Sequence, residues 1–334
     1  MIPQLPKVEL HLHLDCGLSY RVVKTIDPTI TREMYLQDFV APLKCASLSY
    51  FLTRAIKGYQ LMQTEKQLAL VVHDLFDQLA AQHVIYAEIR FAPLQHCEKG
   101  LSPMEVVVAT EAATKAAIQS SGIEARLILC TLRHYNENQS METVQLVEKL
   151  KGTCVAGFDI AADEAGFAIS EHIAAFKYAH EKDIPCTAHA GEAMGAASVW
   201  ETLKYLAPSR IGHGVRSIED AILVNHLVRH SIHLEVCPSC NVQIGLYDSL
   251  QYHPVHQLYK AGVSLSISTD APTIVGTSLS KEYQQLQETF GWTLRDFYQC
   301  NLNAIKCAFI PQQLKERLIY QLTDGYPLEA TVTG

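Results

Sequence analysis

The sequence predicts a single (β/α)8 TIM barrel carrying a helical insert after its first strand, and two observations lead there. Eight short apolar or β-branched runs, at residues 8–12, 84–91, 125–131, 154–160, 184–188, 210–212, 231–236 and 263–268, alternate with stretches of helical periodicity. That alternation is the mark of βα units around a parallel sheet, and eight of them close a barrel. The gap after the first run is about 70 residues, against about 20 to 35 elsewhere, which is too long for one crossover helix. No Ser/Gly/Pro linker, low-complexity tract or fixed-period repeat divides the chain, so residues 1–334 read as one domain.

The elements can be justified in order. In the first run, Val8-Glu9-Leu10-His11-Leu12, strand alternation sets His11 and His13 on one face, with Asp15 just beyond the end. The segment 27–65 carries Phe39, Phe51 and Tyr59 among aliphatics. After strand 1 such an insert would lie on the C-terminal face of the barrel, either as a lid over the βα loops or as extra packing helices. Ser102-x-x-Glu105 with Pro103 at the first helical position predicts a capped helix start, and Ser217 to Asp220 has the same form.

Composition narrows the function. With 27 Lys and Arg against 35 Asp and Glu, the net charge is −8, and no basic cluster offers a footprint for nucleic acid or an anionic membrane. Small-molecule or protein partners remain; no apolar run nears the roughly 20 residues that span a bilayer, and the first residues lack a secretory pattern, so a cytoplasmic protein is expected. Ten scattered cysteines predict free thiols. Cys237-Pro-Ser-Cys240 has metal or redox spacing but no second pair, which favours buried structural thiols.

Catalytic residues of a barrel gather at the C-terminal ends of its strands. Four runs end in ligand-type groups: His11 and His13 on the first, His189 and Glu192 on the fifth, His213 on the sixth, Asp270 on the eighth. Three imidazoles and a carboxylate suit zinc, although iron, cobalt or nickel could take the same donors. Glu192 and His213 would then be spare titratable groups beside the ion, a layout for metal-assisted hydrolysis. His226 with His230 has i, i+4 spacing but lacks the adjoining Glu of a zincin and reads as a solvated helix face; His233, His253 and His256 read as structural.

Taken together, the chain resembles the adenosine deaminase family. The likeness runs from Pro6-Lys7-Val8-Glu9-Leu10-His11-Leu12-His13-Leu14-Asp15 through Tyr86–Pro93, Leu129-Cys130 with Arg133-His134, His189-Ala190-Gly191-Glu192, Arg210–Gly214 and Leu234–Pro238 to Ser280–Tyr283. The resemblance implies one zinc ion per chain, held by His11, His13, His189 and Asp270, that activates a water for attack at C6 of a 6-aminopurine nucleoside. It implies Glu192 as the acid that protonates ring N1 and His213 as the group that orients the water and assists its deprotonation. Asp15 would accept from the ribose 5′-hydroxyl, and the backbone N–H of Ala162 would approach N3. Adenosine or deoxyadenosine would yield inosine or deoxyinosine and ammonia. Adenine, or a substituted adenine nucleoside, is the alternative substrate, and a non-catalytic purine-binding barrel the alternative class.

Three positions depart from the family pattern. Cys16 follows Asp15 where Gly is usual, Ala162 replaces a Gly at the purine edge, and Ala271 replaces the second residue of an Asp-Asp pair whose carboxyl would bond N7. A binuclear amidohydrolase would need a lysine near the end of the fourth run, which offers Phe158-Asp159-Ile160-Ala161-Ala162 instead. A cytidine-deaminase-type site would need His- or Cys-x-Glu and a later Pro-Cys-x-x-Cys; here the spacing is His189-x-x-Glu192 and Pro238 follows Cys237.

Overall fold

A computed structural model describes residues 2–328; the single-domain reading of 1–334 thus extends outside the described residues at both ends. Eight strands occur where eight runs predict them: β1 Lys7–His13, β2 Val84–Phe91, β3 Glu124–Leu132, β4 Val155–Ala161, β5 Thr187–Ala190, β6 Arg210–His213, β7 His233–Val236 and β8 Leu265–Ile267. They pair in parallel as two four-stranded sheets, β1 to β4 and β5 to β8 in sequence order. Isolated parallel bridges at Phe158↔Cys186 and Leu12↔Asp270 bring the sheets edge to edge on both sides. At the second junction the Asp270 N–H donates to His11 O (3.0 Å) and the His13 N–H to Asp270 O (2.9 Å), which ties the first strand's histidines to the aspartate after β8.

Strands covered by helices outside and packed within the barrel are buried on both faces, and every residue of β2, Val-Ile-Tyr-Ala-Glu-Ile-Arg-Phe, is buried. The interior is charged as well as apolar. Arg90 pairs with Asp159 (2.7 Å) and Glu235 (2.6 Å), while Arg210 pairs with Glu88 and with Glu235 (2.8 Å), all five side chains being fully buried. Removing one partner would leave an uncompensated charge, at a cost of about 3–5 kcal/mol.

The predicted cap at Ser102 forms in full: its hydroxyl accepts the Glu105 N–H, the Glu105 carboxylate accepts the Ser102 N–H, and Pro103 opens the helix. The second predicted start needs correction. Residues Val215–Glu219 form a 3-10 turn and Ser217 is buried in it; Asp220, extended at φ −133°, is the N-cap and accepts the Ile222 N–H at 2.8 Å. A cap must sit immediately before the apolar-periodic run, here Ile222, Leu223 and Leu227, and Ser217 lies too early.

The long first connection folds as α1 Tyr20–Ile26, α2 Arg32–Asp38, α3 Leu48–Gln60 and α4 Glu65–Ala81. The last is the crossover helix and the first three are the insert. Its chain is fastened at the mouth of the barrel: Ala41 N–H donates to Ile274 O (2.8 Å) and Cys45 N–H to Gln243 O (2.7 Å). α3 presses so closely on the end of β1 that a Cβ on Gly58 would fall 1.9 Å from the Asp15 carbonyl oxygen. Only glycine fits that approach. No helix among the described residues is long and apolar enough to cross a membrane.

His233 is fully buried between the hydroxyls of Ser264 and Ser266 (2.9 Å each), and burial pushes its imidazole down to about 3. The folded state therefore binds its proton less readily than the unfolded chain, so this group's stabilisation is complete above about pH 6.5 and is lost as pH falls below it. Between pH 7 and pH 5 the wild type should lose about 2 kcal/mol relative to a His233→Gln protein, from 1.5 pH units at 1.36 kcal/mol each. Urea denaturation of both proteins at the two pH values reads this difference, and parallel losses would show that His233 is not buried neutral.

Candidate active site

The strand ends bring all six predicted metal and acid/base residues to one place. His13 Nε2 lies 3.2 Å from His189 Nε2 and 3.3 Å from Asp270 Oδ1, and His11 Nε2 lies 3.3 Å from the same oxygen. An ion bonded at about 2.0–2.1 Å to four tetrahedral donors holds them about 3.3 Å apart. Three of the six separations among the four proposed donors therefore match zinc. His11 Nε2 is buried with no hydrogen-bond partner, a vacancy that a metal would fill. A nitrogen of His213 also lies within 4.8 Å of the donor atoms of His11, His189 and Asp270, so distance alone does not choose between His13 and His213 as the fourth ligand.

The other ring nitrogens of two histidines are fixed from below. His11 Nδ1 meets Glu235 at 2.9 Å and His189 Nδ1 meets Asp159 at 3.1 Å. Arg90 joins these two carboxylates, so one buried guanidinium sets the orientation of two imidazoles. Burial alone would raise Glu235, but Arg90 and Arg210 outweigh it and hold the carboxyl at about 2. Burial and neighbouring positive charge lower His11 and His13 well below the usual imidazole range, leaving them neutral and able to donate a lone pair.

Glu192 is 5% exposed. Burial, then Asp270 and Glu164, push its carboxyl well above the usual range, which favours its protonated form. Its backbone is held by Glu164, whose carboxylate accepts the N–H groups of Gly191 (2.7 Å), Glu192 (3.0 Å) and Met194 (2.9 Å) and the Ser198 hydroxyl (2.6 Å). Its side chain accepts from Asn241 Nδ2 at 3.1 Å. His213 and Asp270 both have left-handed backbone, at φ 61° and 62°, and so does Ala162 at φ 78°. Such conformations cost on the order of 1–3 kcal/mol for residues with a Cβ and collect at functional sites.

A pocket of about 330 Å³ opens onto this cluster. His13, His189, Glu192, His213 and Asp270 line it, as do Asp15, Ala162 and Ala271, and α3 roofs it with Leu48, Phe51, Leu52 and Tyr59. The insert therefore covers the mouth of the site. Cys16 and Ala271 belong to one apolar cluster with Phe51, Cys237 and Cys240, so two of the three positions that depart from the family pattern share a dry corner, while Ala162 packs against a separate cluster that includes Cys130 and Leu132. Cys237 and Cys240 are buried free thiols.

The comparisons with known proteins agree with this geometry. The family model described as adenosine deaminase matches residues 6–325. The chain belongs to the adenosine deaminase family. It is 34% identical to adenosine deaminase 1 of Streptomyces coelicolor, over 93% of this chain and 84% of that one. It is 32% identical to an adenine deaminase of Rhizobium rhizogenes, over 96% of this chain and all of that one. Among solved structures, an amidohydrolase from Burkholderia ambifaria with bound Zn superposes with a TM-score of 0.88 at 23% identity, covering 97% of this chain and 91% of that one. As a member of the adenosine deaminase family the protein is a zinc-dependent aminohydrolase acting on an aminopurine.

Several contributors to this adenosine deaminase-type site escape a reading of strand ends. Arg90, Asp159 and Glu235 lie within strands, Glu164 lies in the turn after β4, and Asn241 lies in the short helix Pro238–Gln243 after β7. The available signal was an ionisable residue on the inward side of an otherwise apolar strand, as in Leu234-Glu235-Val236, because a charge there needs a partner. His253, read as structural, is buried and hydrogen-bonds Asn241 at 3.2 Å, so it stands directly behind the site. His226 is half-buried against Trp200, and only His230 is on the exposed face that spacing predicts for both.

Proposed function

We propose that the enzyme hydrolytically deaminates a 6-aminopurine nucleoside, adenosine or deoxyadenosine, to inosine or deoxyinosine and ammonia. The observation that carries this reading is a pocket that opens directly on a buried carboxyl whose surroundings favour its protonated form and on a set of metal-type donors, with a second carboxyl, Asp15, on its wall and no Lys or Arg among its lining residues. A nucleotide's phosphate would find no cation there, whereas a sugar hydroxyl would find Asp15.

His11, His13, His189 and Asp270 would hold the zinc, which supplies an activated water when bound. Glu192 donates its proton to ring N1, so negative charge does not build up on the purine as C6 becomes tetrahedral. His213 orients the attacking water. Asp15 accepts from the 5′-hydroxyl, and the N–H of Ala162, which takes part in no hydrogen bond among the described residues, is free to meet N3. The insert helix α3 excludes bulk water from above.

The dry corner at Ala271 supports a second reading, an adenine derivative with an apolar group on its N7 edge. Ammonia release from adenosine, deoxyadenosine, adenine, AMP and substituted aminopurine nucleosides, with zinc content measured on the same preparation, tests both. No release from any of them would overturn the proposal. If adenosine is the substrate, N7 lacks a side-chain donor, a handicap of about 0.5–1.5 kcal/mol. In Ala271→Asp, burial beside Asp270 would keep the new carboxyl protonated and able to donate to N7. The expected result is a rise of about tenfold in kcat/KM for adenosine at unchanged zinc content. A fall for adenosine would show that residue 271 does not face N7.

A further inference from the structure

Behind Glu192 and His213 lies a chain of hydrogen bonds that leads away from the pocket. Asn241 Nδ2 is 3.1 Å from Glu192 Oε1 and 3.2 Å from His213 Nδ1. Asn241 Oδ1 is 3.2 Å from His253 Nε2, and the other nitrogen of His253, Nδ1, accepts the backbone N–H of Val255 at 3.1 Å. Asn241 is 0% and His253 2% exposed, and the chain is buried throughout.

Donor and acceptor logic can be run along it from the one end that is unambiguous. A backbone N–H only donates, so His253 Nδ1 is an acceptor and carries no hydrogen. Burial pushes His253 down to about 3, so the ring is neutral and its single hydrogen is on Nε2. That hydrogen points at Asn241, which must present its carbonyl oxygen there and turn its amide nitrogen toward the site. The amide orientation, normally ambiguous, is fixed by the backbone of Val255. The two amide hydrogens then serve Glu192 Oε1 and His213 Nδ1. His213 Nδ1 is therefore an acceptor and carries no hydrogen. Its one hydrogen is on Nε2, the nitrogen left for the metal side.

We infer that Asn241 and His253 are positioning residues that lock His213 in its Nε2–H tautomer and hold Glu192 by Oε1, leaving the acid's other oxygen to carry the proton into the pocket. Two consequences follow. An Nε2 that carries hydrogen has no lone pair for a metal, so His213 is not the fourth ligand, and His13 takes that place. His213 also enters the reaction as a hydrogen-bond donor to the attacking oxygen and not as the base that deprotonates it. This refines the site of the proposed function and rests on that reading only for the identity of the attacking oxygen.

The test is a histidine-selective 15N spectrum of the zinc-loaded enzyme without substrate, with His213 assigned from the signals missing in His213→Gln. The expected spectrum shows His213 Nδ1 unprotonated and Nε2 protonated. Finding the hydrogen on Nδ1 would overturn the inference, whatever substrate the enzyme uses. Failure of every aminopurine to release ammonia would overturn the proposed function and leave the tautomer standing. As a second arm, Asn241→Leu keeps the side chain's bulk and removes both donors, freeing His213 to turn its hydrogen onto Nδ1 toward Glu192 Oε1, 3.4 Å away. With the best substrate of the screen, kcat should fall at least about tenfold with KM within about threefold and zinc content unchanged, since the interactions lost act in the transition state. A kcat within about twofold of wild type would sink the positioning role. Should this variant not fold, the wild-type spectrum still decides.

Discussion

A Glu192→Gln protein should keep its full complement of zinc and lose turnover by at least about a hundredfold. The amide is close to isosteric, so it can occupy the same buried site and still accept from Asn241 through its oxygen. What it cannot do is give up a proton to N1. The protein places Glu192 where burial, Asp270 and Glu164 all favour the protonated form, and a protonated carboxyl is of use chiefly as a donor. Because Glu164 grips the backbone on both sides of Glu192, the substitution should not move the loop, and KM should change less than kcat. Kinetics alongside metal analysis check this, and a near-wild-type rate would mean that another group protonates the ring.

How far the sequence reveals this site depends on which physical rule each residue obeys. Strand position is a local property, set by short apolar runs and punctuation, and all eight strands are legible from it. The residues proposed to bind metal and orient water are legible for a related reason: His11, His13, His189, His213 and Asp270 all stand at strand ends, where barrel geometry aims side chains into one mouth. The supports were hidden because their partners are distant in sequence. Glu235 matters through His11 and Arg90, more than 140 residues away in each case, and no periodicity links them. Asn241 follows Cys240 in a short segment notable in sequence only for its cysteines, and His253 with His256 reads as structural. It is structural, but what it supports is Asn241. The misplaced cap at Ser217 has a different origin. The Ser-x-x-Asp pattern was sound, but Gly214 in left-handed conformation at φ 66° sends the chain into a 3-10 turn before any helix can begin.

The largest effect is expected at the metal. His189→Ala should leave the enzyme with little or no zinc after purification and cut turnover by at least about a thousandfold, because water without a bound ion is a poor nucleophile at pH 7. His189 is central to the donor set: its Nε2 is 3.2 Å from that of His13, and it stands on β5 opposite the β1 pair. Without it, His11, His13 and Asp270 offer three donors crowded on one side. The contrasting variant is Asp159→Asn. It leaves every proposed ligand in place but removes the carboxylate that meets His189 Nδ1 at 3.1 Å and Arg90 at 2.7 Å. Loss of such a support costs about ten- to a hundredfold in metal affinity, so zinc should be present at saturating concentration and lost on dialysis. Metal titration of both proteins, with thermal melts to confirm folding, separates ligand from support. Full zinc occupancy in His189→Ala would remove that histidine from the ligand set and point to His213 as its replacement. That outcome would also require a bare lone pair on His213 Nε2, so the histidine spectrum and the metal analysis check each other.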